Sequence, residues 1–191
     1  MARADRVLVE RPPISELARP DTILPRACIC GGWVLLAGDG PKPAPRVDSH
    51  GWRAGHALAA LDALYRSFPG SWKWPIACAG QSGGAKRASY LAPFLAAGGY
   101  PVAGIFLEGM NEEFITEGYR RFNLGHDFLR TPIFLSSGMR DRIATLDQQN
   151  AVENSMRRMG FENIRHRTFR GGHQVFDTHV QEALRWFRTG S

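Results

Sequence analysis

Cysteine and lysine are both scarce in this chain. Its three cysteines, Cys28, Cys30 and Cys78, include no C-x-x-C pair and no accompanying histidine cluster, which argues against a disulfide framework or a structural zinc site. Cys28 and Cys30 would share one face of a strand and Cys78 lies in an apolar run, so all three read as small buried side chains in a reducing compartment. Lysine occurs only at Lys42, Lys73 and Lys86, so arginine carries the net charge of +6. The arginines are dispersed, with no run longer than Arg120-Arg121 or Arg157-Arg158, which describes a solvated surface better than a nucleic-acid face. No apolar run approaches the length of a membrane span, and Met1-Ala2-Arg3-Ala4-Asp5-Arg6 leads into only a short apolar run rather than a signal-peptide core. A cytoplasmic protein with neither a membrane nor a nucleic-acid partner is expected.

Two phosphate-binding patterns are absent as well. A P-loop needs Gly-Lys where this chain has Ala85-Lys86, and Ser82 occupies the second glycine position of a dinucleotide fingerprint. There is no internal repeat. What remains is an ordinary globular composition, 43% hydrophobic and 22% charged over 191 residues, which suits a single domain spanning 1–191 with a core of its own. The 21 glycines and 12 prolines fall between periodic segments and mark loops.

Taken in order, the chain alternates strands and helices. Val7-Leu8-Val9 is a short strand stopped by Arg11-Pro12-Pro13, and Ile14–Ala18 has room for about a turn of helix. Trp33–Ala37 is a strand ending at Gly38-Asp39-Gly40, and the prolines of 42–49 make that stretch loop. Leu58, Leu61, Leu64 and Tyr65 give Trp52–Phe68 a helical period. Pro75–Ala79 is an apolar strand, followed by a helix over Gly84–Ala97 in which Pro93 predicts a kink or an early end. Val102–Leu107 is a strand; Glu108–Arg130 is a polar and aromatic excursion with a helix over Glu112–Phe122. Pro132–Ser136 is a strand, and Thr145 with Gln148 forms a capping box for a helix stopped by Gly160. Ile164–Phe169 is a strand, and Phe176, Val180, Ala183, Leu184 and Phe187 line one face of a last helix. About six strands that are apolar throughout and separated by helices predict an α/β fold, a three-layer sandwich on a mostly parallel sheet.

The chemistry gathers at the strand ends. Gly80-Gln81-Ser82-Gly83-Gly84 is a G-x-S-x-G pattern between an apolar strand and a helix. That spacing suits a serine on a sharp turn, because neighbours without side chains let strand and helix close around it. A serine hydroxyl needs a base to take its proton and a third group to orient the base. Asp141, in Gly138-Met139-Arg140-Asp141, and His173, in Gly171-Gly172-His173, each follow a strand, in the chain order serine, acid, base. Asp147 competes for the acid role from inside a helix. The remaining histidines (His50, His56, His126, His166, His179) lack a glycine-flanked position after a strand and read as structural or solvated.

On these motifs the chain resembles the α/β-hydrolase family, in a compact form without a large lid, from about Val7 to Phe187. The resemblance implies a serine hydrolase acting on a small-molecule carboxylic ester, with thioester and amide as further substrates of the class. It implies catalytic Ser82, Asp141 and His173, an oxyanion-hole N–H at Gly83, and neither a metal nor an organic cofactor. Gln81, Phe114 and Tyr119, with Phe122 and Phe128, are candidates for the wall of an open substrate site. Glu108, Glu112 and Glu113 read as helix N-terminal carboxylates, with a cation-binding role as the alternative.

The front of the chain departs from the pattern. The family has a glycine-rich turn after the first strand of this half, supplying a second oxyanion N–H; the corresponding turn here, Arg11-Pro12-Pro13-Ile14, contains two residues with none to give. Gly38-Asp39-Gly40 is a substitute, and His50-Gly51 lies too near the serine. The departure motivates a second expectation, a catalytically silent protein of this fold that binds a ligand or a partner.

Overall fold

The structure, a computed structural model, describes residues 7–11, 32–37 and 49–189. Six strands form one sheet in the order β2-β1-β3-β4-β5-β6. They are β1 (Val7–Arg11), β2 (Val34–Ala37), β3 (Ile76–Gln81), β4 (Val102–Glu108), β5 (Ile133–Gly138) and β6 (Ile164–Phe169). Every pairing is parallel. The helices are α1 (Ser49–Ser67), α2 (Gly83–Ala97), α3 (Ile115–Arg121), α4 (Leu146–Met159) and α5 (Asp177–Thr189), with 3-10 turns at Ser71–Lys73 and His126–Arg130.

β3, β4 and Ile133–Leu135 of β5 are apolar on both faces, whereas β6 is mixed, and the alternation along the apolar strands sorts the core into two layers. Ile76, Cys78, Ile105, Leu107, Ile133 and Leu135 point to one side, where they meet Leu61 and Leu64 of α1, Ala85, Ala88, Ala92 and Leu95 of α2, and Val152 and Met156 of α4. Ala77, Ala79, Phe106 and Phe134 point to the other, under Val180, Ala183, Leu184, Trp186 and Phe187 of α5. Two residues apart along a strand means the same face, so the two sets interleave one by one. This is the three-layer sandwich predicted from the sequence. Cys78 sits wholly inside it, and burial pushes its thiol up to about 12, which leaves it protonated and inert.

The chain runs outward from β1 to β2 and returns to β3 on the other side of β1 before continuing through β4, β5 and β6. The reversal lies between β1 and β3, and in an open parallel sheet the crevice for chemistry opens at the carboxyl ends of the strands there. Ser82 directly follows β3.

Several local expectations hold and others shift. The capping box is present: Thr145 accepts from the Gln148 amide, and the Gln148 side chain accepts from the Thr145 amide at 2.9 Å. Gly160 ends α4 at φ 107, a left-handed conformation in which a side chain is strained. Pro93 does not end its helix; α2 continues to Ala97. Its ring instead marks the close approach of α3, where a Cβ on Gly118 would come 2.4 Å from Pro93 Cγ. The helix expected over Glu112–Phe122 is shorter, because the Glu113 carboxylate accepts from the Thr116 amide and sets the start of the helix further along. The strand expected over Pro132–Ser136 extends to Gly138. The expectations for Ile14–Ala18, Cys28, Cys30, Pro12-Pro13, Gly38-Asp39-Gly40 and 42–48 lie outside the described residues.

Gly104 in β4 faces Phe187, whose ring would meet an added Cβ at 2.3 Å. Gly104→Ala should therefore destabilise the protein by about 1–3 kcal/mol through overpacking. Adding Phe187→Leu should restore part of that loss. Denaturant unfolding of the two variants checks both directions.

Candidate active site

Ser82 is the residue on which the strand-to-helix turn bends. It adopts φ 56, ψ −123, a conformation a residue with a side chain rarely occupies, and such strain costs about 1–3 kcal/mol unless the surroundings enforce it. Its amide donates to the Glu108 carbonyl at 2.8 Å, and its carbonyl accepts from the Lys86 amide at 3.2 Å. A Cβ on Gly80 would stand 2.3 Å from the Gly84 carbonyl carbon, so strand and helix close on one another only because position 80 has no side chain. Gly83 is the first residue of α2, where backbone N–H groups have no partner within the helix.

The loops after β5 and β6 bring Asp141 and His173 together. Met139 donates to the Phe169 carbonyl at 2.9 Å and Arg140 to the Gly171 carbonyl at 2.8 Å. A Cβ on Gly138 would stand 2.3 Å from the Gly172 carbonyl oxygen, so the two loops meet backbone to backbone. Across that contact His173 Nδ1 lies 2.8 Å from Asp141 Oδ2. The other carboxylate oxygen accepts from the amides of Ile143 at 2.8 Å and Ala144 at 2.9 Å. The Asp141 side chain is 1% exposed and that of His173 16%. An acceptor-only carboxylate facing Nδ1 fixes the proton there and leaves Nε2 as the nitrogen free to take another.

Burial opposes ionisation of Asp141, but the Ala144 amide, His173 and the Ile143 amide together outweigh it and hold the carboxyl below its usual 3.8. Asp147 lies exposed in the first turn of α4, away from this pair.

Two further residues complete the site: Gly109, which sequence reasoning missed, and Glu108, which it read as a helix N-terminal carboxylate but which is the last residue of β4. Gly109 has φ 58, and a Cβ there would stand 3.0 Å from both Cε1 and Nδ1 of His173 and 3.4 Å from Asp141 Oδ2. It is the floor beneath the imidazole. Glu108 is 1% exposed. Besides its carbonyl contact with Ser82, its carboxylate accepts from Ser136 Oγ at 3.1 Å and from the Phe176 amide at 3.2 Å. It thus ties the elbow to the loop that carries His173. The signal in the sequence was a lone carboxylate and glycine closing an apolar strand.

The other candidates lie as follows. Gln81 is partly buried at the end of β3, paired with Glu108 of β4. Phe114 donates its amide to Ser89 Oγ at 2.9 Å and packs its ring on His50 at 4.8 Å. Tyr119 stacks on Phe128 at 6.4 Å and meets Phe161 edge-on at 6.1 Å, and Phe122 meets Tyr90 at 5.7 Å. These last rings pack inward between helices. His50 lies in α1. Glu112 pairs with Lys86 at 3.0 Å, and Glu113 is engaged by Thr116 and Ser155, so each of the three carboxylates weighed for a cation already has a partner. Among the described residues no group of three or more histidines, cysteines or carboxylates is placed to hold a metal, and no helix is long and apolar enough to cross a membrane.

Solved structures share this architecture. The carboxylesterase of Bacillus cereus is 15% identical, with 100% of this chain and 91% of that one covered and a TM-score of 0.65. The esterase Pf2001 of Pyrococcus furiosus is 14% identical over 98% of this chain and 81% of its own, with a TM-score of 0.60. The acyl-protein thioesterase 2 of Zea mays is 16% identical over 79% and 70%, with a TM-score of 0.55. Neither a protein-family model nor a curated protein sequence matches the chain. The fold is that of the α/β-hydrolases.

Because the folded Asp141 carboxyl ionises below its usual 3.8, its contribution to stability is complete above that value and is lost as pH falls through the folded value. Unfolding measured from pH 6 down to about 3 should show a limb that is shallower in Asp141→Asn than in the parent protein.

Proposed function

We propose that this protein is a serine hydrolase that cleaves a carboxylic ester through an acyl-Ser82 intermediate. The observation that carries the reading is the 2.8 Å Asp141–His173 pair, set at the ends of β5 and β6 on the same edge of the sheet as a serine held at φ 56. Esterases and a thioesterase that share the fold support ester hydrolysis in general.

In this mechanism His173 Nε2 accepts the Ser82 proton as Oγ adds to the ester carbonyl. Asp141 keeps Nδ1–H in place and stabilises the imidazolium that forms. The oxyanion is received by the Gly83 N–H, at the positive end of α2. Collapse expels the alcohol, which takes the proton from His173. Water then gives a proton to the same nitrogen, its oxygen adds to the acyl carbon, and the acid leaves as Ser82 recovers its proton. Of the three residues proposed to contact substrate, Gln81 is next to the nucleophile. Phe114 and Tyr119 would act by shaping the α3 side of the site.

The rival reading, a protein of this fold that binds without turnover, rests on Pro12-Pro13. These follow β1, whose last residue, Arg11, pairs with Gly80 beside the elbow, and neither has an N–H to offer. A fluorophosphonate probe separates the two readings. The folded parent should label and Ser82→Ala should not; a folded parent that resists labelling sinks the hydrolase. For an ester that is turned over, Asp141→Asn should lower kcat on the order of 10⁴-fold, as loss of a triad acid does elsewhere.

A further inference from the structure

Strand β5 ends in two adjacent serines whose side chains alternate across the sheet. Ser136 faces His179 Nδ1 at 2.8 Å. Ser137, on the other face, lies against Gln149 Oε1 at 2.6 Å and His166 Nε2 at 2.7 Å. His166 Nδ1 in turn lies 2.7 Å from Glu153 Oε2. Serine, histidine and glutamate in that sequence have the shape of a second triad. Ser137 and Gln149 are nevertheless 1% and 4% exposed, and no substrate carbonyl reaches a hydroxyl so enclosed.

The protons in this cluster can be counted. Gln149 Nε2 donates to the Ala144 carbonyl at 2.7 Å, and a carbonyl only accepts, so the amide has one orientation and presents Oε1 to Ser137. The single Ser137 proton therefore goes to Gln149. His166 Nε2, 2.7 Å from the same hydroxyl oxygen, must then be a donor, and Nδ1 shares a second proton with Glu153. The Glu153 carboxyl is held low: burial opposes this, but His166 and Arg157 outweigh burial. Glu153 Oε1 also accepts from Arg157 Nε at 2.8 Å, as an ionised carboxylate does, so the second proton belongs to the ring. The facing charges are Glu153 and Arg157 from α4, while Arg167 of β6 turns to Glu182 of α5 at 3.2 Å.

The cluster leads to the acid. Gln149 holds the Ala144 carbonyl, and the Ala144 amide donates to Asp141 Oδ1 at 2.9 Å. We propose that Glu153, His166, Ser137 and Gln149 form a positioning relay, with His166 a doubly protonated imidazolium, that acts through Ala144 to fix the Asp141 carboxylate against His173. As a statement about catalysis the relay rests on the ester-hydrolase reading; as a statement about His166 and Asp141 it does not.

Spectroscopic and kinetic measurements test it. In protein labelled with ¹⁵N-histidine at pH 7, both ring nitrogens of His166, assigned with His166→Gln, should be of the protonated type; a bare nitrogen on that ring overturns the proposal. In Gln149→Leu, and independently in Ser137→Ala, the downfield Nδ1 proton of His173 should shift or exchange away, and an unchanged resonance in a folded variant overturns the relay. That arm needs no turnover, so a parent without esterase activity would remove the function and leave the relay to be judged. With an active parent, Gln149→Leu should lower kcat about 10- to 100-fold with KM within about two-fold. In the Asp141→Asn background the same substitution should cost less than about two-fold, because its effect passes through the carboxylate. An equal loss in both backgrounds would mark Gln149 as merely structural and overturn the proposal.

Discussion

The hydrogen bond from the Ser82 amide to the Glu108 carbonyl, 2.8 Å long, holds a residue in a backbone conformation it would otherwise leave. The conformation survives because α2 cannot move away. Ala85, Ala88 and Ala92 on its inner face are buried against β3 and β4, and side chains this small let the helix axis come close to the sheet. Gly80 removes the last obstruction, the Cβ that would strike Gly84. An alanine-rich segment after a G-x-S-x-G turn thus does more than favour helix. It sets the separation at which a serine at the strand end is forced outward, and the burial of those alanines helps offset the strain.

Glu108 and Gly109 extend this constraint to the rest of the site. The Glu108 carbonyl holds the elbow, its carboxylate holds Phe176 three residues beyond the base, and Gly109 leaves the space that the imidazole fills. One dipeptide at the end of β4 therefore relates the serine to the histidine, although neither comes from β4. The same edge of the sheet concentrates buried polar groups, including Ser136, Ser137, Asp141, Gln149 and His179. Burial lowers the basicity of His179, as expected where a neutral ring meets a hydroxyl in an enclosed site. Polar groups withdrawn from water in this number are tolerable only when each is bonded, and a network bonded throughout is rigid. Rigidity is what an acid–base pair needs to keep its geometry while charge develops.

The strands and helices were legible because the period carried them. Apolar runs such as Ile76–Ala79 and Ile133–Leu135, separated by amphipathic segments, fix a sheet covered on both faces, and the capping box at Thr145 was readable residue by residue. The strand-end placement of Ser82, Asp141 and His173 was legible because each stands where a strand stops and a glycine follows or precedes. Of the two outcomes expected at Pro93, an early end does not occur, and its ring lies in the gap that Gly118 leaves opposite. Tyr119 and Phe128 carry no mark in the sequence that separates a pocket wall from a packed aromatic layer, and in the fold each meets the Phe161 ring. His166 and His179 read as ordinary structural histidines. Their partners lie 29 and 43 positions away in sequence, and no local pattern encodes a hydrogen bond closed by tertiary structure.

The register of β1 bears on the one departure of the sequence from the α/β-hydrolase pattern. Arg11 pairs with Gly80, two residues before the nucleophile, while β2 is a strand further out and pairs only with β1. The end of β1 is therefore nearer the elbow than the end of β2, and the pair that follows β1 in sequence, Pro12-Pro13, has no backbone N–H to give. With those two amides missing, the proposed chemistry leans on the N-terminus of α2. Removing an oxyanion donor costs about 100- to 1,000-fold in turnover, a loss that weighs least on esters with good leaving groups, whose uncatalysed barrier is already low. On this argument the proposed hydrolase would favour activated acyl groups over unactivated alkyl esters, and the preference would originate in two prolines rather than in the triad.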